Sequence, residues 1–273
     1  MAYYLIGASG RLGRAIAEEY ASSGIVSLDR AVYEDWSESR GEVLVSRYFE
    51  KEIAEEGSVI FVASGLLDSR LSKEDLLKVN YGLPKNIIEG VKNIGIKVIT
   101  FGTVMERLLS FDNPYVQSKV ALSNYVENVG QERSVTHIQL HTLYGIGKPS
   151  PFMFLGQILE SLRYNRPFRM TSGLQLREYH HLTDDAKVIR YIEESIGSGV
   201  VNLSHGRPLS LKEIAECIFG AFGRNELLCV GALPEPSVEN YKKTFEPIYL
   251  DSPALFRDDL PAIIEYMRDC YHK

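Results

Sequence analysis

Tyr115 and Lys119, four residues apart, are the pair in this sequence whose types and spacing could move a proton. They follow Asn113-Pro114, which favours the start of a helix, so both side chains are expected on one helix face. A phenol has a pKa of about 10, and a nearby ammonium lowers it because it favours the phenolate. Such a tyrosine can exchange a proton with a hydroxyl oxygen. We therefore predict Tyr115 as an acid/base group; the alternative is an ordinary surface pair.

Two other tyrosine–lysine pairs have the same spacing in weaker surroundings. Tyr81 and Lys85 enclose a glycine and a proline, and Tyr144 and Lys148 enclose two glycines. Glycine and proline both disfavour a continuous helix. We predict chemistry only for the pair that follows Asn113-Pro114.

A second group of residues could hold a phosphate. Gly7, Gly10 and Gly13 follow an apolar stretch and precede a helix-like one. Gly7 would allow a sharp turn out of a strand, Gly10 a close approach of a pyrophosphate, and Gly13 a close packing of helix on sheet. Glycine-rich turns also occur without a ligand. The order of strand, turn and helix favours a dinucleotide site.

The acid at the end of the next predicted strand bears on which dinucleotide is bound. Asp29 lies 22 positions after Gly7. At this place in a βαβ unit a carboxylate accepts hydrogen bonds from the ribose hydroxyls and repels a 2′-phosphate, which favours NAD. Arg30 and Arg14 leave NADP open, since an arginine here could pair with that phosphate. A turn or cap role is the other interpretation of Asp29.

The elements that must position these residues alternate between strand and helix up to Gly145, where the pattern becomes irregular. Repeated βα units predict an α/β fold with a doubly wound parallel sheet. Pro84 should bend or break the helix in which it lies. The predicted strands are 24–28, 42–46, 58–63, 96–101 and 136–140, and the predicted helices are 11–22, 48–56, 72–93, 114–128, 152–164, 184–196, 210–222 and 253–271.

The composition of the chain limits the kinds of binding partner that we expect. Charged residues make up 24% of the 273 residues and the net charge is −6, so neither nucleic acid nor an anionic membrane is an expected partner. The chain opens directly into a predicted strand and has no apolar run approaching 18 residues, so we expect a cytoplasmic protein. Cys217, Cys229 and Cys270 are few and far apart, which suits a reducing compartment and predicts no metal site.

In their order, these features resemble the extended short-chain dehydrogenase/reductase family, in particular its NAD-dependent epimerase/dehydratase group, which modifies nucleotide sugars. The resemblance covers nearly the whole chain. It implies a Rossmann-type domain of residues 1–145 with 176–204, and a smaller substrate-binding portion of residues 146–175 and 205–273. The segments that carry it are Gly7-x-x-Gly10-x-x-Gly13, Asp29, Asn80 within 79–82, 101–104, Tyr115-x-x-x-Lys119, 141–145, 177–184 and 201–206.

The resemblance also implies a function for particular residues. Lys119 would bind the nicotinamide ribose, Asn80 would brace the sheet near the cofactor, and Arg177 would pair with the substrate diphosphate. Asn80 could instead be satisfied within a helix, and Arg177 could be an ion-pair partner of Glu178 or Asp184. The residues predicted to contact NAD, or NADP, are Gly7, Ser9, Gly10, Arg11, Leu12, Gly13, Asp29, Arg30, Ala63, Ser64, Gly65, Asn80 and Lys119, and those predicted to contact the substrate are Thr142 and Arg177.

The chain departs from the family pattern at two places. Relatives carry a serine or threonine where this chain has Phe101, and that hydroxyl contacts the reacting oxygen beside the tyrosine. Phenylalanine cannot donate, so the hydroxyl must come from Thr103 or Thr100, or be missing; we predict Thr103. Gln139 and Thr142 stand where relatives often carry arginine and asparagine.

As a whole, the resemblance implies an NAD(P)-dependent enzyme acting on a nucleotide-diphosphate sugar. A 4-ketosugar reductase is favoured, because a dehydratase would need further acids near the strand end. A 4-epimerase is the alternative among enzymes. A non-catalytic cofactor-binding regulator is the alternative outside them, and Phe101 is its main support. Relatives often pair through helices equivalent to 71–91 and 114–128, so a homodimer is expected.

Overall fold

The structure, a computed structural model, describes residues 1–51, 56–68, 70–108, 113–129, 132–236, 239–249 and 256–272. The chain forms two compact units, residues 1–140 with 186–203 and residues 141–185 with 204–273. The first break therefore lies after residue 140 rather than 145, and residues 176–185 belong to the second unit. None of the helices in the described ranges combines the length and the apolar character needed to cross a bilayer.

The described elements alternate along the chain. The strands are β1 (Tyr3–Ile6), β2 (Val26–Leu28), β3 (Val59–Val62), β4 (Lys97–Thr103), β5 (Val135–Leu140), β6 (Thr142–Tyr144), β7 (Phe168–Arg169), β8 (Leu176–Arg177), β9 (Tyr179–His181), β10 (Gly199–Asn202), β11 (Leu209–Ser210) and β12 (Leu228–Cys229). The α-helices are α1 (Arg11–Glu19), α2 (Arg30–Tyr33), α3 (Gly41–Lys51), α4 (Lys73–Leu77), α5 (Leu83–Val91), α6 (Met105–Leu108), α7 (Pro114–Val129), α8 (Phe154–Tyr164), α9 (Leu182–Ser195), α10 (Leu211–Ala221) and α11 (Asp259–His272).

The first unit is built on a six-stranded sheet in the order β10-β5-β4-β3-β1-β2, and every pairing is parallel. All residues of β1, β3 and β5 are buried. Helices cover both faces of such a sheet, which is why β1 and β3 are continuous apolar runs. The predicted α/β fold with a Rossmann-type, doubly wound parallel sheet is confirmed.

One predicted strand is wrong. Residues 42–46 lie in α3, a single helix that also covers residues 48–51 of the helix predicted at 48–56, of which residues 52–55 lie outside the described residues. Val45 and Phe49, four residues apart, are fully buried, which is a helical rather than a strand spacing. A Cβ on Gly90 of α5 would lie 2.6 Å from the Val45 Cβ. The close approach of α3 to α5 therefore decides the conformation, which the local β-branched residues alone do not.

The helix predicted from Ser72 to Asn93 is interrupted where Pro84 indicated. Ser72 caps α4, and its Oγ accepts the Asp75 N–H at 3.0 Å. A π-helical turn, Lys78–Gly82, then joins α4 to α5, and Pro84 is the second residue of α5. Proline has no N–H to donate to the preceding turn, so the regular i to i−4 hydrogen-bond pattern of the helix is interrupted there. The π turn places Asn80 in the site described below.

The second unit has its own core, to which α8, α10 and α11 contribute. Its strands form three short pairs, β6 with β9, β7 with β12, and β8 with β11. The helix predicted at 253–271 corresponds to α11, and residues 253–255 lie outside the described residues. The three cysteines are free thiols.

Candidate active site

The turn after β1 has the backbone geometry of a phosphate cradle. Gly7 has a φ of +88°, and its carbonyl oxygen accepts the Gly10 N–H at 3.1 Å. A Cβ on Gly7 would lie 2.5 Å from the Ser64 nitrogen, and one on Gly13 would overlap the Gly7 carbonyl. These two glycines are therefore required by the fold itself.

The third glycine has a different reason to be a glycine. Gly10 has an ordinary backbone conformation, and a Cβ on it would meet only the Gly7 oxygen, at 3.3 Å. It is exposed and forms the N-cap of α1, where it has no side chain with which to cap the helix. The N–H groups of a helix's first turn attract anions. The residues of this turn, with Ser9 exposed beside it and Arg11 and Leu12 opening α1, fit a dinucleotide diphosphate.

The predicted cofactor residues after β3 lie against this turn. The Ala63 N–H donates to the Ile6 carbonyl at 2.9 Å, which continues the pairing of β3 with β1. A Cβ on Gly65 would lie 3.3 Å from Asn80 Oδ1 and 3.5 Å from Lys119 Nζ. Ser64, between them, contacts Gly7 as described above. The carboxyl ends of β1 and β3 are thus contiguous with the lysine of α7.

Asn80 holds this loop in place. Its Oδ1 accepts the Leu66 N–H at 2.8 Å, and its Nδ2 donates to the Leu66 carbonyl at 2.9 Å and to Ser118 Oγ at 3.0 Å. The residue is buried. These bonds join the loop after β3 to α7 and do not satisfy Asn80 within its own helix. The contact with a cofactor stays a prediction.

Asp29 and Arg30 lie at the end of β2, which pairs with β1. Both are exposed. Asp29 precedes α2, but its side chain does not cap that helix. The cap interpretation therefore has no support, and the carboxylate is available to a ribose at this edge of the sheet.

The helix α7 presents Tyr115 and Lys119 as predicted. Asn113 Oδ1 accepts the N–H groups of Tyr115 and Val116, at 3.0 and 3.3 Å, and so caps the helix. Lys119 is 7% exposed, and its ammonium donates to the Phe101 carbonyl at 2.8 Å. Burial lowers the pKa of Lys119 to about 8.

Thr103, the last residue of β4, is the threonine whose side chain acts on the phenol, since it lowers the pKa of Tyr115. Thr100, the other candidate, lies 2.8 Å from His137 Nδ1 through its Oγ1. Phe101 is buried. Of the two threonines, Thr103 therefore stays the predicted source of the hydroxyl, two residues further along the strand than Phe101.

The predicted direction of the Tyr115 pKa, lowered by the Lys119 charge, is wrong. In the structure burial raises the pKa of Tyr115, and the negative charge of Glu106 raises it further, while the bond with Thr103 opposes both. The phenol therefore keeps its proton at neutral pH and can serve as a donor.

Two polar residues beside Thr103, Glu106 and His137, were missed, and Gln139 was noted only as a departure from the relatives. Glu106 Oε1 accepts the Thr103 N–H at 2.6 Å, and its Oε2 accepts a hydrogen bond from Gln139 at 2.8 Å and lies 3.3 Å from His137 Nε2. The usable signal was the alternation of His137 and Gln139 in the otherwise largely apolar run of β5. Alternate strand residues share a face, so their polar groups needed a common partner.

The two predicted substrate residues lie in the second unit. Thr142 opens β6, pairs with Tyr179, and donates its N–H to the Glu178 carbonyl at 3.1 Å. Arg177 forms an ion pair with Glu239 at 2.6 Å rather than with Glu178 or Asp184. Its guanidinium is therefore engaged by a carboxylate, the chemistry that a diphosphate would offer.

A buried polar cluster in the second unit was also missed. Glu178 accepts hydrogen bonds from the Ser204 hydroxyl at 2.8 Å and the His205 N–H at 2.9 Å. His180 lies between Asp185, at 2.8 Å, and Glu178, at 3.2 Å. Although burial opposes its charge, the two carboxylates raise the pKa of His180 to about 9. The cluster joins β9 to the loop at 204–206.

Ligand atoms of His141, Glu178 and His180 lie within 4.8 Å of one another. The two imidazole rings are stacked, 3° from parallel with centroids 5.0 Å apart. An imidazole nitrogen directs its lone pair in the ring plane, so stacked rings do not aim at a common ion. We interpret this group as part of the hydrogen-bonded cluster.

Comparisons with known proteins show the family of the chain and structures with a similar fold. A model of the NAD dependent epimerase/dehydratase family matches residues 3–204. A search of curated proteins gives no significant match.

Among solved structures, a UDP-N-acetylglucosamine 4-epimerase from Methanobrevibacter ruminantium in complex with UDP-N-acetylmuramic acid is 14% identical, with a TM-score of 0.77 over 99% of this chain and 97% of that one. A UDP-glucose 4-epimerase from Thermus thermophilus in complex with NAD is 17% identical, with a TM-score of 0.72 over 100% and 99%. A GDP-mannoheptose C4 reductase from Campylobacter jejuni with NADP bound is 18% identical, with a TM-score of 0.77 over 100% and 98%. At these identities the likeness is one of fold.

Proposed function

Because the chain belongs to the NAD dependent epimerase/dehydratase family, we propose that it is an NAD(P)-dependent oxidoreductase of nucleotide-diphosphate sugars, and specifically a reductase of a 4-keto sugar. Both kinds of activity, 4-epimerase and C4 reductase, occur among the similar structures. Retention or free exchange of the cofactor would distinguish them.

The observation that carries the proposal is the placement of Tyr115 in α7, one helical turn before the buried Lys119. Burial and the Glu106 charge hold the pKa of the Tyr115 phenol above the usual value, so it is a proton donor at neutral pH. In the reduction, Tyr115 would give its proton to the carbonyl oxygen of the substrate as the carbon accepts hydride. The Lys119 ammonium, one turn along the helix, would stabilise the phenolate that remains. The Thr103 hydroxyl would orient the same oxygen.

The cofactor would lie along the carboxyl edge of the sheet, at the residues predicted for it. Gly7, Gly10 and Gly13 would take the diphosphate, Asp29 the adenosine ribose, and Lys119 the nicotinamide ribose. A bound NADH or NADPH would supply the hydride. Asp29 favours NAD, because its charge would repel a 2′-phosphate.

The substrate would be held by residues of the second unit. Arg177 would exchange its bond with Glu239 for the substrate diphosphate, which offers the same planar pairing to a guanidinium. Thr142 would contribute a contact to the nucleotide sugar. Both assignments are proposals from the resemblance. The homodimer and the cytoplasmic location stay predictions as well.

The activity is tested by screening diphosphonucleotide 4-keto sugars for loss of reduced-cofactor absorbance, guided by mass spectrometry of small molecules released from the purified protein. Tyr115→Phe should lower kcat by about two or more powers of ten, while cofactor affinity changes little. Tyr125→Phe is the matched control, since it removes a phenol oxygen from the same helix that bonds Glu89 instead. Equal activity of both variants and the wild type would refute a proton-donor tyrosine.

The cofactor site has a separate test. Gly10→Ala fits the backbone and meets only one atom, so the melting temperature should hold while NADH affinity falls at least tenfold. Gly13→Ala would overlap the Gly7 carbonyl and should lower the melting temperature. Unchanged NADH binding by Gly10→Ala would place the diphosphate elsewhere.

A 4-epimerase is the second candidate, favoured by the similarity to two such enzymes. An epimerase oxidises and then reduces the same carbon, so it retains its cofactor. NAD(H) that survives purification would favour it, whereas free exchange would favour the reductase. A non-catalytic binder would show cofactor affinity and no turnover, but it has no need of a hydroxyl at Tyr115.

A further inference from the structure

We propose that Glu106 is a positioning residue for Tyr115: its buried carboxylate fixes the Thr103 peptide and so holds the Thr103 hydroxyl against the phenol. The inference rests on the proposed function, because it concerns the proton that Tyr115 would donate. It goes beyond that function by adding a residue that acts through Thr103.

The contact with Thr103 is direct. Glu106 Oε1 accepts the Thr103 N–H at 2.6 Å, a length typical of a strong bond to a charged acceptor. Thr103 is the last residue of β4. The next residue, Val104, still donates its N–H to the Leu140 carbonyl at 2.8 Å, so the bond to Glu106 adds a second constraint at this strand end. A carboxylate bound to the Thr103 N–H therefore restricts the direction in which the hydroxyl points.

The carboxylate is itself held from the sheet. Its Oε2 accepts a hydrogen bond from Gln139 at 2.8 Å and lies 3.3 Å from His137 Nε2. Gln139 Oε1 accepts in turn from Arg107. The His137 ring is fixed by Thr100 Oγ1, 2.8 Å from its Nδ1. Glu106 is thus bound on both oxygens, and its side chain is only 2% exposed.

A glycine in β4, Gly102, leaves space for the Glu106 carboxylate. The register pairs Thr100 with His137 and Gly102 with Gln139, so these residues share one face. A Cβ on Gly102 would overlap both the Glu106 carboxylate and the His137 ring. A glycine at this strand position is therefore explained by the carboxylate that occupies the space.

The electrostatics agree with a charged Glu106. Burial would raise its pKa, but hydrogen bonds from His137, Thr103 and Gln139 and the attraction of the His137 ring hold the pKa of Glu106 below its usual value. The charge of Glu106 raises the pKa of both Tyr115 and Lys119, the titratable groups that face it from α7. The carboxylate therefore favours the protonated phenol that donation requires.

The test uses Glu106→Gln and the exchange variant Glu106→Gln/Gln139→Glu. In the single variant two amide donors face each other and the charge is lost. We expect kcat to fall about tenfold or more, with cofactor affinity unchanged and the alkaline limb of the pH–rate profile shifted to lower pH. The exchange restores a donor–acceptor pair and places the negative charge at position 139 of β5. It should therefore recover part of kcat and move the alkaline limb of the pH–rate profile part of the way back.

A second measurement needs no activity. The Thr103 amide proton, bound to a carboxylate, should lie downfield in NMR spectra of the wild-type protein without ligand. In Glu106→Gln it should move upfield and exchange with solvent about tenfold faster or more. If the single variant fails to fold, the exchange variant provides both readouts.

The outcomes separate the two proposals. A wild-type protein that reduces no keto sugar, but whose Thr103 amide responds as described, would remove the proposed function and keep the contact of Glu106 with Thr103. A folded Glu106→Gln variant with wild-type kcat and pH profile would overturn the positioning function, while the reductase activity would stand. A Thr103 amide that is unchanged in that variant would overturn it as well.

Discussion

Replacing Thr103 by valine removes the hydroxyl that we propose beside the Tyr115 phenol and keeps the β-branched shape of the side chain. Thr100→Val is its matched control, because it is the same substitution three residues earlier on the same strand. Thr100 bonds His137 and not the tyrosine. The two variants therefore separate a loss of chemistry from a loss of stability.

The structure sets the size of each effect. A hydrogen bond to a group that becomes charged contributes about 1.5–3 kcal/mol, so Thr103→Val should lower kcat by about 10- to 150-fold. Thr103 Oγ1 otherwise accepts only a weak bond from the Met105 N–H, at 3.3 Å, so stability should change little. Thr100 is 1% exposed. Its loss leaves the buried His137 nitrogen without that partner, at a cost of about 1–3 kcal/mol in the free energy of unfolding.

The assay compares kcat on a keto sugar, NADH affinity and the denaturant midpoint for the two variants and the wild type. We expect Thr103→Val to lose rate at nearly constant midpoint, and Thr100→Val to lose stability while keeping most of its rate. The reverse pattern would show that Thr100 supplies the hydroxyl. Full activity in both variants would refute the need for a hydroxyl beside the tyrosine.

Three other perturbations test the charges of the site. The pKa of Lys119 in the folded protein, about 8, lies below its value in the unfolded chain, so the buried ammonium lowers stability below pH 8, and this cost disappears as the pH rises toward 10.5. Lys119→Met should therefore raise the free energy of unfolding by up to about 3 kcal/mol at pH 7 and change it little at pH 10.5. Denaturant titration at the two pH values measures the difference. Glu239→Gln should free the Arg177 fork and lower the KM of a nucleotide-diphosphate substrate about two- to tenfold, and a higher KM would mean that the ion pair orders the site. Asp29→Ser should shift the ratio of NADP affinity to NAD affinity about tenfold or more toward NADP, because it removes a charge that repels the 2′-phosphate and leaves Arg30 beside it. Equilibrium binding measures this ratio. An unchanged ratio would show that the carboxylate does not face the ribose.

Local patterns were sufficient where one residue type has one physical reason to be present. The need for glycine at positions 7 and 13 could be predicted, because a Cβ at either position would collide with the backbone. The spacing of Tyr115 and Lys119 was readable because a helix places such residues on one face. The buried strands were readable because a parallel sheet covered on both faces needs continuous apolar runs, as in β1 and β3.

Local patterns failed where distant segments compete for the same residues. The apolar residues of 42–46 suit a strand, and contact with α5 made them a helix. The pKa of Tyr115 could not be derived from its spacing to Lys119, because it depends on burial and on Glu106. Nor does any local rule join Arg177 to Glu239, which is 62 residues away.

The composition and short-range periodicity of this chain were enough to specify a parallel α/β sheet, a glycine turn for a dinucleotide, and a tyrosine one helical turn from a lysine. The bond of Thr100 to His137, and the bond of the Glu106 carboxylate to the Thr103 N–H, came from the packing of α6 on two neighbouring strands. Such contacts depend on register and burial, and those arise only when segments far apart in the chain meet.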